Sequence, residues 1–172
     1  MILEYKGIKP RVSDAIYIAD NAVICGDVTL AEDTTIWFSA VIRADCASVT
    51  IGKGSNVQDN CTVHVAEGYP VVIGENVSVG HNAVVHGCTI EDDVLIGMNS
   101  TIMNGAVIGK GSIVAAGALV LEGTHVPPYS VVAGIPAKVK KTLDPSDHRT
   151  VLNSQAYVVE GHDYVEHTVE VE

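Results

Sequence analysis

The stretch from residue 96 to residue 114, IGMNSTIMNGAVIGKGSIV, decides the fold, because an aliphatic residue returns at every sixth position. Within this stretch the aliphatic positions are Ile96, Ile102, Ile108 and Val114. With short interruptions the same spacing extends towards both termini, and its further members are Val12, Ile18, Ile24, Leu30, Ile36, Ile42, Ile51, Val57, Val63, Ile73, Val79, Val85, Ile90 and Val120.

A period of six matches neither the 3.6-residue repeat of a helix nor the two-residue alternation of a long strand. It is typical of short strands joined by turns, in which three strands make one coil of a triangular prism and the aliphatic side chains point inward. Coils stacked about 4.8 Å apart would satisfy the backbone donors and acceptors. A small or β-branched residue stands four positions after many of the aliphatic ones, which permits tight corners: Ala22, Val28, Thr34, Ala40, Ser55, Ala83, Ser100, Ala106, Ser112 and Ala118. The sequence therefore predicts an all-β fold, a parallel β-helix of hexapeptide repeats.

The C-terminal region departs from the repeat, and the end of a solenoid must be covered. Asp144 and Pro145 have the residue types of an N-cap and a first-turn proline, so we expect a helix from this point to about Glu160. The predicted organisation is a hexapeptide-repeat β-helix over residues 1–136, followed by a C-terminal helix and tail over residues 137–172 that pack on it.

Composition limits the partners. The net charge is −11 with only ten Lys plus Arg, and aromatic residues make up 5%, which argues against binding to nucleic acid or anionic membrane surfaces. The sequence contains no apolar run of about 18 residues, so we expect no membrane span. The first eleven residues lack the apolar run of a secretion signal, which predicts a cytoplasmic protein. The cysteines show no CxxC spacing and are interpreted as free thiols: Cys25, Cys46, Cys61 and Cys88.

Two histidines occupy equivalent positions in successive coils. His64 follows Val63 by one residue, and His86 follows Val85 by one residue. Because residues three aliphatic positions apart lie above one another, the two histidines should stack on one face although 22 residues separate them. Two imidazoles in this arrangement can converge on a tetrahedral Zn²⁺.

A third histidine belongs to a neighbouring side of the prism. His81 follows Val79 by two residues, so it lies in the hexad before that of His86. Within its own subunit it cannot easily reach the metal held by the other two histidines. A second copy of the chain can supply it, and closed symmetry repeats that contact at every interface. A triangular prism suits a three-fold ring, which predicts a homotrimer with three shared sites.

The same counting of repeats predicts a charged pair between two subunits. Arg43 lies one coil below His64, and Asp59 lies one coil below His81. Docking the two faces at the level of the metal therefore brings Arg43 opposite Asp59. A charged pair partly shielded from water would help to set the register of the interface.

These residues resemble the γ-class carbonic anhydrases over roughly residues 10 to 140. The resemblance is carried by Arg43-Ala44-Asp45, by the stretch NVQDN at residues 56–60 that leads to His64, and by HNAVVHG at residues 81–87. It implies a left-handed β-helix and a homotrimer. It also implies a metal bound by His64 and His86 of one subunit together with His81 of the next.

Further roles come with the resemblance. Gln58 and Asn56 would position the water and the substrate, Arg43 and Asp59 would form the intersubunit pair, and Asp45 would assist assembly. Three neutral nitrogens around Zn²⁺ would lower the pKa of bound water from about 15.7 to about 7, and the resulting hydroxide would convert CO₂ to bicarbonate. The native metal stays open, because such a triad also accepts Co²⁺ or Fe²⁺.

The sequence departs from the best-known branch of that family in its acidic residues. That branch has a long acidic loop after the first histidine, with a glutamate as proton shuttle, whereas this chain has only VAEGYP at residues 65–70. Glu67 is the acid available there, and Cys46 replaces a second expected glutamate. Tyr157 and Asn153 on the predicted helix are further candidates for reaching the site.

Two other functions remain open. Hexapeptide-repeat folds often host acyl-CoA chemistry, so an acyltransferase or a thioesterase is one alternative, and the sequence GIPAK at residues 134–138 is common in such transferases. The other is a non-catalytic subunit of a metal-stabilised assembly. Acyl transfer needs one general-base histidine and no histidine triad, which favours the metal enzyme.

Overall fold

The computed structural model describes residues 1–169 and shows short strands wound into a parallel solenoid, followed by one helix. In chain order the strands are β1 (Ile2–Leu3), β2 (Tyr17–Ile18), β3 (Val23–Leu30), β4 (Thr35–Ile36), β5 (Val41–Ile51), β6 (Asn56–Val57), β7 (Thr62–His64), β8 (Val71–Ile73), β9 (Ser78–Val79), β10 (Val84–His86), β11 (Thr89–Ile90), β12 (Leu95–Ile96), β13 (Thr101–Ile102), β14 (Val107–Ile108), β15 (Ile113–Val114), β16 (Leu119–Val120), β17 (His125–Val126), β18 (Ser130–Ala133) and β19 (Lys138–Thr142). The helix α1 covers Arg149–His167.

The strands form the three faces of a prism. Face A contains β1, the first parts of β3 and β5, and then β7, β10, β13 and β16. Face B contains the last parts of β3 and β5, followed by β8, β11, β14 and β17. Face C contains β2, β4, β6, β9, β12, β15, β18 and β19. Neighbouring strands are parallel except for the antiparallel pair β18 and β19, so the predicted parallel β-helix is confirmed.

The aliphatic positions of the six-residue repeat form the core. All of them are buried except Val12 and Ile18, which are partly buried and pack against the core near the N-terminal end. The small corner residues are also buried. Burying one such aliphatic side chain contributes about 1.5–3 kcal/mol, so the stacked rows supply the main driving force for the solenoid.

Buried serines at the corners link successive coils. Ser55 Oγ donates a hydrogen bond to the Gly74 carbonyl oxygen (2.8 Å) and accepts one from the Val77 N–H (2.9 Å). Ser112 makes the equivalent bond to the Pro127 carbonyl oxygen (3.0 Å). A buried hydroxyl without partners would destabilise the corner, so these bonds explain why serine is tolerated at the small positions.

The helix differs from its predicted bounds at both ends. It begins at Arg149, because Asp144 Oδ1 accepts hydrogen bonds from the N–H and the hydroxyl of Ser146 (2.9 and 2.7 Å) and closes a turn before the helix. It continues beyond Glu160 to His167. The division at residue 136 stays a prediction, and residues 170–172 of the predicted tail lie outside the described residues.

Small and aromatic residues fit α1 onto face C, where it contacts β2, β4, β6 and β9. The buried helix residues are Thr150, Ser154 and Gly161. The ring of Trp37 packs edge-on against Tyr157 and Tyr164, with centroids 5.4 and 4.9 Å apart. This packing holds the helix against the N-terminal half of face C, from β2 to β9.

Among the described residues, α1 is the helix, and it lacks an apolar stretch that could span a membrane. The four cysteines are free thiols, as predicted. Cys61 and Cys88 are buried, and burial raises the pKa of their thiols to about 11 and about 12.

Substituting Gly161→Ala tests the packing of the helix. A Cβ at this position would lie 2.5 Å from Cγ2 of the buried Thr35, so we expect a loss of about 1–3 kcal/mol in the free energy of unfolding. Helix propensity alone predicts a gain of about 1 kcal/mol. The sign of the measured change in the free energy of unfolding therefore shows which of the two effects is larger. Urea unfolding gives the value, with the exposed His162→Ala as control; a more stable G161A would contradict the described contact.

Thiol labelling at pH 8 tests the burial of the cysteines. Cys61 and Cys88 should resist a disulfide reagent in the native protein, because both thiols are protonated and inaccessible. They should react at once in denaturant. Rapid labelling of both in the native state would show that the coils open at these positions.

Candidate metal centre

The two histidines predicted to stack on one face are neighbours in the structure. Strands β7 and β10 pair in parallel, and the register aligns His64 directly with His86. The two rings meet edge to face, and His64 Nδ1 lies 3.0 Å from His86 Nε2. The prediction from the six-residue spacing that His64 and His86 stack on one face is therefore confirmed.

The outer nitrogens of this pair contact oxygen acceptors. His64 Nε2 lies 3.2 Å from Asp45 Oδ1, and His86 Nδ1 lies 2.6 Å from Asn104 Oδ1. Since a carboxylate and an amide oxygen can only accept, these contacts favour a proton on the outer nitrogen of each ring. With that tautomer of both rings, the facing nitrogens present lone pairs, as two ligands of one cation must.

Asp45 is held ionised beside the pair. Desolvation opposes its charge, but hydrogen bonds from His64 and from Arg43 keep the pKa of this carboxyl below its ordinary value. Arg43 also forms an ion pair with Asp45, and it lies one coil below His64 as predicted. The carboxylate therefore remains an acceptor for the His64 ring.

His81 lies apart from the pair, in the turn that follows β9 on face C. Its Nδ1 contacts Asp59 Oδ2 (2.8 Å), and Asp59 lies one coil below it as predicted. Its Nε2 lies 3.4 Å from the hydroxyl of Tyr157 on α1. Desolvation, followed by the charge of Glu160, raises the pKa of Tyr157 to about 12, so this hydroxyl stays protonated.

A buried chain of polar residues supports the backbone at His81. Gln58 Oε1 accepts a hydrogen bond from the His81 N–H (3.2 Å), and Gln58 Nε2 donates to Asn56 Oδ1 (3.0 Å). Asn56 Nδ2 in turn donates to Ser78 Oγ (2.9 Å). Within one protomer Gln58 and Asn56 therefore lie beside His81 rather than beside the stacked pair.

Each half of the candidate centre borders a shallow cavity. The cavity at His81 has a volume of about 240 Å³ and is lined also by Gln58, Met98, Asn153 and Tyr157. Within the described residues, the buried Oδ1 of Asn153 has no hydrogen-bond partner. The helix therefore does bring polar groups to the site, and Asn153 offers a free acceptor there.

The cavity at His86 has a volume of about 250 Å³ and is lined also by Met103, Asn104 and Glu122. Met103 borders this cavity, as Met98 borders the cavity at His81. The two cavities belong to different faces of one protomer.

Glu67 lies outside both cavities as the structure describes them. It stands in a two-residue hairpin closed by backbone hydrogen bonds between Ala66 and Tyr69, and its side chain is exposed. Desolvation, then the negative charges of Asp45 and Glu67, raises the pKa of the Cys46 thiol.

The predicted pair between Arg43 and Asp59 concerns two subunits, and a single protomer cannot test it. In this chain Arg43 pairs with Asp45, and Asp59 pairs with His81. The intersubunit pair therefore stays a prediction.

His64 and His86 offer two nitrogen donors to one metal ion within a single chain. Among residues 1–169 no three His, Cys, Asp or Glu side chains are grouped closely enough to hold a metal within one chain. Two nitrogens bound to one tetrahedral Zn²⁺ lie about 3.3 Å apart, close to the 3.0 Å between His64 Nδ1 and His86 Nε2. Imidazole nitrogens with oxygen-bound outer protons suit Zn²⁺, Co²⁺ or Fe²⁺.

The contact between Asn104 and His86 was missed in the sequence, although the spacing contained it. Ile102 lies directly above Val85, so Asn104 stands one coil above Gly87 and beside the His86 ring. Predicting this contact also requires the directions of the two side chains, which the six-residue period does not give.

Comparison with known proteins places the chain in a family. Residues 87–122 match the family described as bacterial transferase hexapeptide (six repeats), and residues 70–90 match the hexapeptide repeat of succinyl-transferase. A crystal structure of a Bacillus cereus protein, described as an acetyltransferase, superimposes with a TM-score of 0.92 and 42% identity and covers 98% of both chains.

Two curated relatives carry a more specific name. A probable carbonic anhydrase of Methanocaldococcus jannaschii is 49% identical over 148 residues, which is 86% of this chain and 93% of that protein. The mitochondrial gamma carbonic anhydrase 2 of Arabidopsis thaliana is 41% identical over 86% of this chain and 54% of its own, longer sequence. With this identity over nearly the whole of the archaeal relative, and with the arrangement of histidines described above, the chain belongs to the γ-class carbonic anhydrase family.

Proposed function

We propose that this protein catalyses the reversible hydration of CO₂ to bicarbonate at Zn²⁺ sites shared between the subunits of a homotrimer. One observation carries the proposal. His64 Nδ1 and His86 Nε2 face each other at 3.0 Å on face A, while His81 Nε2, which lies 3.4 Å from the Tyr157 hydroxyl, is presented at a turn after a strand of face C.

The separation of the histidines is the reason for sharing the site. A ligand pair on one face and a single ligand on another become one triad when two copies of the chain bring these faces together. Three-fold closure repeats the contact at every interface and leaves no unpaired half-site. The same docking would bring Arg43 of one subunit opposite Asp59 of the next.

Zn²⁺ in such a triad would supply a Lewis acid that makes water nucleophilic near neutral pH. The side chains around it bind and orient the reactants. Gln58 uses one of its amide protons on Asn56, which leaves a second N–H to donate to an oxygen of CO₂ or bicarbonate. Asn153 Oδ1 can accept a hydrogen bond from water or from the bicarbonate hydroxyl. Leu95, Ile96 and Met98 give the cavity an apolar wall that suits CO₂.

Turnover also requires that a proton leave the site. Glu67 is proposed for this step, because it follows His64 by three residues and its exposed carboxylate can exchange protons with solvent.

Acyl transfer is the alternative that the names of the relatives suggest. It requires a cavity for an acyl-CoA and one histidine as a general base. That reaction does not use two imidazoles whose nitrogens lie 3.0 Å apart on adjacent coils. The metal-dependent reaction accounts for the pair, so it is preferred.

Subunit complementation tests the shared site. We expect His81→Ala and His86→Ala each to lose zinc and CO₂ hydration. When the two variants are co-expressed in equal amounts, about a quarter of the interfaces combine an intact pair with an intact His81 and should recover both properties. Zinc content and stopped-flow hydration rates measure the recovery.

The matched control for this experiment combines His64→Ala with His86→Ala. Both residues lie on the same face, so no interface in this mixture contains an intact pair, and no sites should return. Recovery in the control, or none in the first mixture, would show that the ligands are not divided as proposed. An intact zinc site without hydration activity would favour the thioesterase or the non-catalytic alternative.

Gln58→Leu tests the substrate-binding role of the amide. It removes the N–H donor while preserving size, so we expect the hydration rate per bound zinc to fall about tenfold to hundredfold. Because Gln58 also anchors the His81 backbone, the zinc content must be measured in the same sample. An unchanged rate per zinc would assign Gln58 a purely structural role.

A further inference from the structure

We propose that Asn104 is a positioning residue that holds His86 as a metal ligand by accepting the proton of its Nδ1. This inference rests on the proposed function, because it concerns the same metal centre. Asn104 Oδ1 lies 2.6 Å from His86 Nδ1, the shortest of the three contacts between an oxygen acceptor and a ring of the triad. The bond leaves the lone pair of Nε2 directed at His64.

The chain leaves space for this contact. A Cβ at Gly87 would lie 2.6 Å from Asn104 Oδ1 and 2.8 Å from Tyr69 Cβ, so only glycine lets the amide approach the ring. Gly87 also has φ +54°, a conformation that favours glycine. Backbone hydrogen bonds fix the two coils here, from the Gly105 N–H to the Gly87 carbonyl oxygen (2.8 Å) and from the Gly123 N–H to that of Asn104 (2.9 Å).

The amide makes His86 different from the other two histidines. His64 and His81 each contact a carboxylate, from Asp45 and Asp59, whereas His86 contacts a neutral oxygen. A carboxylate raises the basicity of the imidazole more strongly than an amide does. Asn104 therefore selects the tautomer of His86 without adding a negative charge to the cavity that it shares with Glu122.

Asn104→Leu and Asn104→Asp separate positioning from packing. Leucine keeps most of the volume and removes the acceptor, whereas aspartate keeps an acceptor oxygen at the same position. Asn21→Leu is the matched control: Asn21 Oδ1 accepts the Ser39 N–H (2.9 Å) at a corner two coils below that of His64.

The first measurement is the affinity of the metal-free protein for Co²⁺, followed by its visible absorption. We expect N104L to bind about 10- to 100-fold more weakly than the parent, and N104D and N21L to bind within about threefold of it. Equal affinity of N104L and the parent would overturn the proposal, and so would an equal loss in N21L.

The second measurement uses the metal-free protein alone. Nitrogen-15 spectra of the imidazoles should show His86 protonated at Nδ1 in the parent and in N104D, and a mixture of tautomers in N104L. If the parent binds no Co²⁺, the proposed function fails, while these spectra still decide the role of Asn104. An unchanged His86 tautomer in N104L would overturn it.

Discussion

The hydrogen-bonded register between successive coils is the constraint on which the site depends. Parallel pairing aligns Arg43, His64 and His86 in one vertical row on face A, and it aligns Asp59 with His81 at the edge of face C. A slip of one residue would turn each imidazole towards the core and expose its aliphatic neighbour. The buried rows of isoleucine and valine therefore do more than stabilise the solenoid, because they also fix the positions of the histidines.

The electrostatics of the site follow from what surrounds each ring. Every histidine of the proposed triad has one nitrogen against an oxygen acceptor, from Asp45, Asp59 or Asn104. The opposite nitrogens of His64 and His86 face each other, and that of His81 faces the Tyr157 hydroxyl. A cation bound between His64 Nδ1 and His86 Nε2 would use a lone pair of each ring, which accounts for the close approach of the two nitrogens.

The sequence was sufficient to predict the fold and the faces on which the histidines lie. With a strict period of six, the place of a residue in the repeat gives both its face and its coil. It was insufficient where side-chain direction or local turn chemistry decides. The bond from His86 to Asn104 depends on direction, and the start of α1 was placed too early because Asp144 caps a turn formed with Ser146 rather than the helix. The exposed hairpin that carries Glu67 lies outside the repeat, so the period says nothing about where its carboxylate points.

Anomalous diffraction from crystals of the zinc-loaded protein, recorded on both sides of the zinc absorption edge, tests the central claim most directly. The account predicts one peak per subunit, bonded to His64 Nδ1 and His86 Nε2 of one chain and to His81 Nε2 of a neighbouring chain. A peak coordinated by a single chain, or no peak near the stacked pair, would contradict it.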